Sequence, residues 1–83
     1  MSLQSVPPEI VKVFASILNE PPESVVPSLS TKTSKSWDSL KHVELVMAIE
    51  DQFGLRFSST EVVLLSSVEG FMKLIEQKRS GTL

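Results

Sequence analysis

One hydroxyl stands beside one carboxylate at Asp38-Ser39, where a long polar segment ends and an amphipathic stretch begins. A serine in that position sits at a helix N-terminus, where free amides and the helix dipole favour an anion by about 0.3–1 kcal/mol when exposed. The same two residue types also serve as plain helix caps, so the pair alone supports either reading. The rest of the chain has little equipment for catalysis. It contains no cysteine and a single histidine, His42. Adjacent residues at one helix start cannot supply the geometry of a Ser-His-Asp triad. There is no Gly-rich phosphate loop and no carboxylate pair with a reason to differ in pKa. A metal site built from protein ligands is not expected with one histidine and no cysteine.

The elements that hold Asp38-Ser39 are read from apolar spacing. Only three glycines occur, and helical periodicity runs through the chain. Pro7-Pro8 opens a first helix, because proline suits the first turn. Ile10, Val13, Phe14, Ile17 and Leu18 form its core-facing stripe. Asn19 and Pro21-Pro22 end it. Residues 20–37 form a long connection rich in Ser, Thr and Pro, with Val25, Val26 and Leu29 expected to pin it to the bundle. Structureless loops beyond about 12–15 residues are uncommon in compact domains, so this one is functional or hides a short helical turn. Trp37 is expected to pack the loop inward, because a large ring is expensive to expose.

The second helix runs from about Ser39 to Phe53, with Asp38 as N-cap and Gly54 as C′ residue. A short third helix starts at Ser58, whose spacing to Glu61 is that of a capping box, and covers Val62 to Leu65. A fourth is introduced by Ser66 and Glu69 at the same spacing and carries Val68, Phe71, Met72 and Ile75. Gly70 weakens it by up to about 1 kcal/mol relative to alanine. Residues 1–5 and 80–83 are expected to be flexible and about 7–78 ordered. The fold class is therefore all-α: a small four-helix bundle with a long loop between helices 1 and 2 and a short third helix, in one domain.

On a helical wheel the second helix has two apolar arcs. Leu45, Val46, Ile49 and Phe53 fall on one, and Leu40, Val43 and Met47 on another, on the Ser39 side. One arc suffices to bury a surface helix. The second is either more core or an exposed partner patch, rimmed by Glu44, Glu50 and Asp51. Methionine suits a surface that adapts to several partners.

The 83 residues carry eight basic and ten acidic side chains, a net charge of −2. That balance argues against non-specific nucleic-acid binding. No apolar run reaches the roughly 20 residues of a membrane span, and the start lacks the basic and apolar regions of a signal peptide. A cytoplasmic domain is expected.

The stretch Asp38-Ser39-Leu40, with Val43-Glu44-Leu45-Val46-Met47-Ala48-Ile49-Glu50 and Phe53-Gly54, resembles the second helix of acyl carrier proteins. Ser67-Val68-Glu69-Gly70-Phe71-Met72-Lys73-Leu74-Ile75 is similar to their last helix. The resemblance spans about residues 8–78 and is weakest before Trp37. It implies that Ser39 receives 4′-phosphopantetheine from coenzyme A through a phosphopantetheinyl transferase, which supplies magnesium and the general base. It implies that Asp38 caps the helix and helps that transferase recognise the site. Leu40, Val43, Glu44 and Met47 become the partner face for acyl-loading and acyl-processing enzymes. Leu45, Ile49, Phe53, Phe71 and Ile75 become the interior, where some members of the family shelter an acyl chain. The arm's thiol would carry acyl groups as thioesters, which a chain without cysteine cannot do itself. The protein is then a non-catalytic, monomeric carrier.

The chain departs from the strongly acidic pattern of housekeeping fatty-acid carriers. Lys41 and His42 follow Asp-Ser-Leu, Lys32 and Lys35 stand against Glu23 in the preceding loop, and Arg56 follows the second helix. Charge complementarity selects partners, so a specialised carrier of a dedicated biosynthetic pathway is expected. His42 is expected to be a half-buried filler. Two other readings stay open: an aminoacyl or peptidyl carrier with the same serine, and an unmodified helical interaction domain.

Overall fold

The computed structural model describes residues 6–79. In these residues the chain folds as α1 (Pro8–Leu18), a 3-10 turn (Pro22–Ser24), α2 (Ser39–Phe53), α3 (Ser59–Leu64) and α4 (Val68–Arg79). This is the small four-helix all-α architecture expected from the spacing. The expectations for residues 1–5 and 80–83 lie outside the described residues.

Each helix starts and stops for a local reason. Proline occupies the first positions of α1, where an amide has no helical partner to lose. Asn19 ends α1 in the left-handed region at φ 58°, a conformation asparagine tolerates better than most residues. Gly54 ends α2 the same way at φ 65°. At α3 the capping box is complete. The Ser58 amide donates to Glu61 Oε1 at 2.8 Å, and the Glu61 amide donates to Ser58 Oγ at 3.2 Å.

The cap of α4 differs from the expected one by a residue. Ser67, not Ser66, caps the helix: its Oγ accepts the Gly70 amide at 3.0 Å, and its carbonyl accepts the Phe71 amide. Glu69 therefore falls one position short of a capping box and pairs with Lys73 at 3.6 Å instead.

The core is built from three residues of each long helix: Ile10, Phe14 and Leu18; Leu45, Val46 and Ile49; Val68, Phe71 and Ile75. Burying side chains of this size contributes about 1.5–3 kcal/mol each. Val25, Leu29 and Trp37 from the loop and Leu65 after α3 complete it. Val13 and Ile17 are half-buried, because α1 has neighbours on one side and the edges of its stripe meet solvent.

The long loop is fastened by backbone as well as by side chains. The Thr31 amide donates to the Ser66 carbonyl, and the Val68 and Glu69 amides donate to the carbonyls of Leu29 and Pro27. Ser34 is buried and donates its hydroxyl to Glu20 at 3.0 Å. Val25 and Leu29 pin the loop as expected. Val26 does not: it sits in the tight turn whose carbonyl takes the Leu29 amide, which leaves its side chain 42% exposed.

Candidate functional site

Asp38 is extended, and its carboxylate turns back to accept the Lys41 amide at 2.9 Å. Its carbonyl accepts the His42 amide, the first bond of α2. Those two contacts fix Ser39 as the first residue of the helix, exposed to solvent. The amides of Ser39 and Leu40 lie in the first turn, where no helical carbonyl can reach them. An anion on the Ser39 side chain would therefore meet open amides and the positive end of the α2 dipole.

The two arcs of α2 separate cleanly. Leu45, Val46 and Ile49 are buried, while Leu40, Val43 and Met47 are 67%, 51% and 61% exposed. The arc beside Ser39 is surface, not a second core face. Glu44 lies on it, with Lys41 4.0 Å away. Glu50 does not belong to the acidic rim: it is half-buried, and its carboxylate accepts the Phe57 amide at 2.8 Å, tying the end of α2 to the segment before α3. Of the expected interior residues, Leu45, Ile49, Phe71 and Ile75 are buried. Phe53 is half-buried at the last turn of α2, where the Arg79 guanidinium covers its ring at 5.6 Å.

A cleft of about 470 Å³ opens beside Ser39, lined by Trp37, His42 and Val43 on one side and by Val62, Val63 and Leu65 on the other. Trp37 is buried as expected. His42 is half-buried but is no passive filler. Trp37 Nε1 donates to its Nδ1 at 3.0 Å, and its Nε2 lies 2.8 Å from the Val62 carbonyl.

A family model described as "Phosphopantetheine attachment site" matches residues 8–75, most of the chain and nearly all of the four helices. The chain belongs to the acyl carrier protein family. A protein named "Acyl carrier protein" from Thermosynechococcus vestitus is 34% identical over 70 residues, covering 84% of this chain and 86% of that protein. "Acyl carrier protein 3" from Ralstonia nicotianae is 34% identical over 76 residues, covering 92% and 87%. "Acyl carrier protein" from Buchnera aphidicola subsp. Schizaphis graminum is 33% identical over 76 residues, covering 92% and 96%. The carrier's cofactor is accordingly 4′-phosphopantetheine, and its interactions are with enzymes that handle acyl groups. An exposed hydroxyl flanked by open amides at a helix start fits the phosphodiester of that group.

Two features of this carrier escaped the sequence. Val63 and Leu64 are 79% and 73% exposed. The signal was present in the run Val62-Val63-Leu64-Leu65, since four consecutive apolar residues on one short helix cannot all face inward. The bonding of His42 had no such signal, because its partners lie five residues before it and twenty after it.

Proposed function

We propose that Ser39 Oγ is the attachment point of the 4′-phosphopantetheine arm, and that the protein holds acyl intermediates as thioesters on it for the enzymes of a dedicated biosynthetic pathway. One observation carries the assignment: Ser39 is exposed at the first position of a capped helix, inside the segment matched by the family. The arm supplies the thiol this chain lacks. The chain's own residues position it. Asp38 fixes the helix start, and the first-turn amides and the dipole stabilise the phosphodiester by about 0.3–1 kcal/mol. The transferase provides the metal and base for the transfer, and the nucleotide half of coenzyme A leaves.

Leu40, Val43, Glu44 and Met47 form the docking face, with Val63 extending it across the cleft. Exposed apolar side chains with a polar rim suit transient contacts with several enzymes. A dedicated pathway is favoured by charge: Lys32, Lys35 and Arg56 are exposed, and Lys41 offsets Glu44 at the docking face. Enzymes that select this carrier are therefore expected to present a less basic surface than those that select a uniformly acidic carrier. The acyl reading is preferred over an aminoacyl one because the relatives above are named as acyl carriers.

The test is intact mass before and after incubation with coenzyme A, magnesium and a broad-specificity phosphopantetheinyl transferase. A gain of one phosphopantetheine, absent in Ser39→Ala with an unchanged helical circular dichroism spectrum, is the expected result. Modification of Ser39→Ala would move the site elsewhere. No gain with several transferases would leave an unmodified interaction domain.

A further inference from the structure

His42 is joined to three elements at once. Tryptophan's indole nitrogen can only donate, so His42 Nδ1 is the acceptor of that bond. The Val62 carbonyl can only accept, so Nε2 carries the hydrogen and donates to it. Both bonds are satisfied by one tautomer, the neutral Nε2–H ring. Val62 lies in the last turn of α3, where carbonyls have no helical partner. His42 thus caps a six-residue helix that is too short to hold itself together.

The ring also belongs to an aromatic layer. Trp37 lies beside it, nearly parallel, with 6.0 Å between centroids, and Phe71 meets it edge-on at 6.1 Å. Phe71 in turn packs against Phe14 at 5.3 Å, Trp37 at 6.2 Å and Phe57 at 6.0 Å. Trp37 and His42 face the cleft beside Ser39 on one side and fully buried Phe71 on the other. They stand between the cleft at the proposed attachment point and the Phe71 ring, which belongs to the same core as Leu45 and Ile49.

We infer that His42, clamped between the Trp37 indole and the Val62 carbonyl, is a specificity-determining residue that shuts the interior to the cargo, so that this carrier holds short acyl groups in the cleft beside Ser39 and does not swallow long alkyl chains. The inference rests on the attachment proposed above. The cleft opens directly beside Ser39, so an arm tethered there can fold its acyl end back into it, and tethering makes even a weak site effective. To pass the cleft floor, a long chain must break two hydrogen bonds and part the Trp37–Phe71 contact. That opening is unfavourable, because the Trp37 N–H and the Val62 carbonyl would be left unpaired against an apolar chain.

The experiment loads the protein with acetyl and with decanoyl phosphopantetheine from the two acyl-coenzyme A thioesters. Intact mass verifies loading, and a protein that takes neither group refutes the attachment reading instead of this one. Backbone amide shifts and the thermal midpoint are then compared between the two loaded forms. In the parent, the change from acetyl to decanoyl is expected to move amides at the cleft, such as Val43, Val62 and Leu65. Those of Leu45, Ile49 and Phe71 stay in place and the midpoint is unchanged. In His42→Ala the decanoyl group enters, the core amides shift, and the midpoint rises by about 4–8 °C, the scale of one modest buried contact in a domain this size. His42→Gln, which keeps one acceptor and one donor, is expected to restore the parent's pattern. Where His42→Ala does not fold, Trp37→Phe, which removes the indole donor and keeps an aromatic ring, is read in its place. Core shifts with chain length in the parent, or a folded His42→Ala blind to chain length, would overturn the proposal.

Discussion

The Asp38 carboxylate lies 2.9 Å from the Lys41 backbone nitrogen, and this bond sets the residue at which α2 begins. It satisfies one of the first-turn amides while leaving those of Ser39 and Leu40 open. The place of Ser39 at the first position of α2 therefore depends on its neighbour. Asp38→Ala is expected to destabilise the fold by about 0.5–2 kcal/mol, the usual loss for a side-chain cap, and Asp38→Asn by less. Urea unfolding measures the difference. A parent-like midpoint in Asp38→Ala would show that packing of the apolar arc alone fixes the start of α2.

The exposed arc of α2, proposed above as the docking face, allows docking to be tested apart from stability. Val43 and Met47 are each more than half exposed, so Val43→Glu and Met47→Glu are expected to change stability by no more than about 0.5 kcal/mol. Met47→Glu sits at the upper end, since Glu50 and Asp51 follow it at helical spacing. Loading by the transferase, read as kcat/KM, is expected to fall about tenfold for each, the effect of losing about 1.4 kcal/mol of contact. A large drop in melting temperature with normal loading would make this arc structural.

Most of the scaffold around Ser39 was legible because its determinants are local. Proline at the start of α1, Asp38, Gly54 and the Ser58–Glu61 box each act within four residues, and each marks its boundary in the structure. Where two local solutions competed, sequence could not choose. Ser66 and Ser67 both stand before an apolar stretch, and the pairing of the loop with this segment decides for Ser67 by taking the Ser66 carbonyl. Val26 looked like an anchor by type, but the turn that buries Leu29 points it outward. The surface character of Leu40, Val43 and Met47 was one of two open readings, settled only by how many neighbours α2 has. The clamp on His42 was illegible, since it joins residues far apart in the chain.

Glu61 gives the fold an acid-sensitive contact. Its carboxylate accepts the Ser58 amide and lies 3.0 Å from the Lys78 ammonium. The Ser58 amide first, and Lys78 second, hold its pKa below the usual carboxylate value. A depressed folded-state pKa means the stabilisation is present above the unfolded-state value and is lost as pH falls through the folded one. Glu61→Gln retains a side chain able to complete the capping box but not the charge that faces Lys78. Melting curves across the acid range are expected to show the variant below the parent near neutrality and the two converging as pH falls. A gap of constant size down to the most acid point would place the loss in the box geometry instead of the charge.

Gly70 offers a gain in stability without a change at the site. It lies in the first turn of α4, and its φ is not positive, so nothing in the backbone requires glycine there. A methyl group at this position would sit 3.4 Å from Ser67 Oγ and 3.6 Å from Leu65 Cδ2, both ordinary contacts. The Gly70 amide would keep its bond to Ser67 Oγ, so the cap of α4 survives the substitution. Gly70→Ala is therefore expected to stabilise the protein by about 0.4–1 kcal/mol, chiefly by restricting the unfolded chain. The urea midpoint should rise with an unchanged slope, and loading at Ser39 should be unaffected, since the new methyl touches neither Asp38 nor the exposed arc. A lower midpoint would mean that the methyl disturbs the packing of Ser67 Oγ and Leu65 Cδ2 despite these ordinary distances. Because Leu65 also lines the cleft beside Ser39, that outcome would mark the segment between α3 and α4 as tightly fitted against the site.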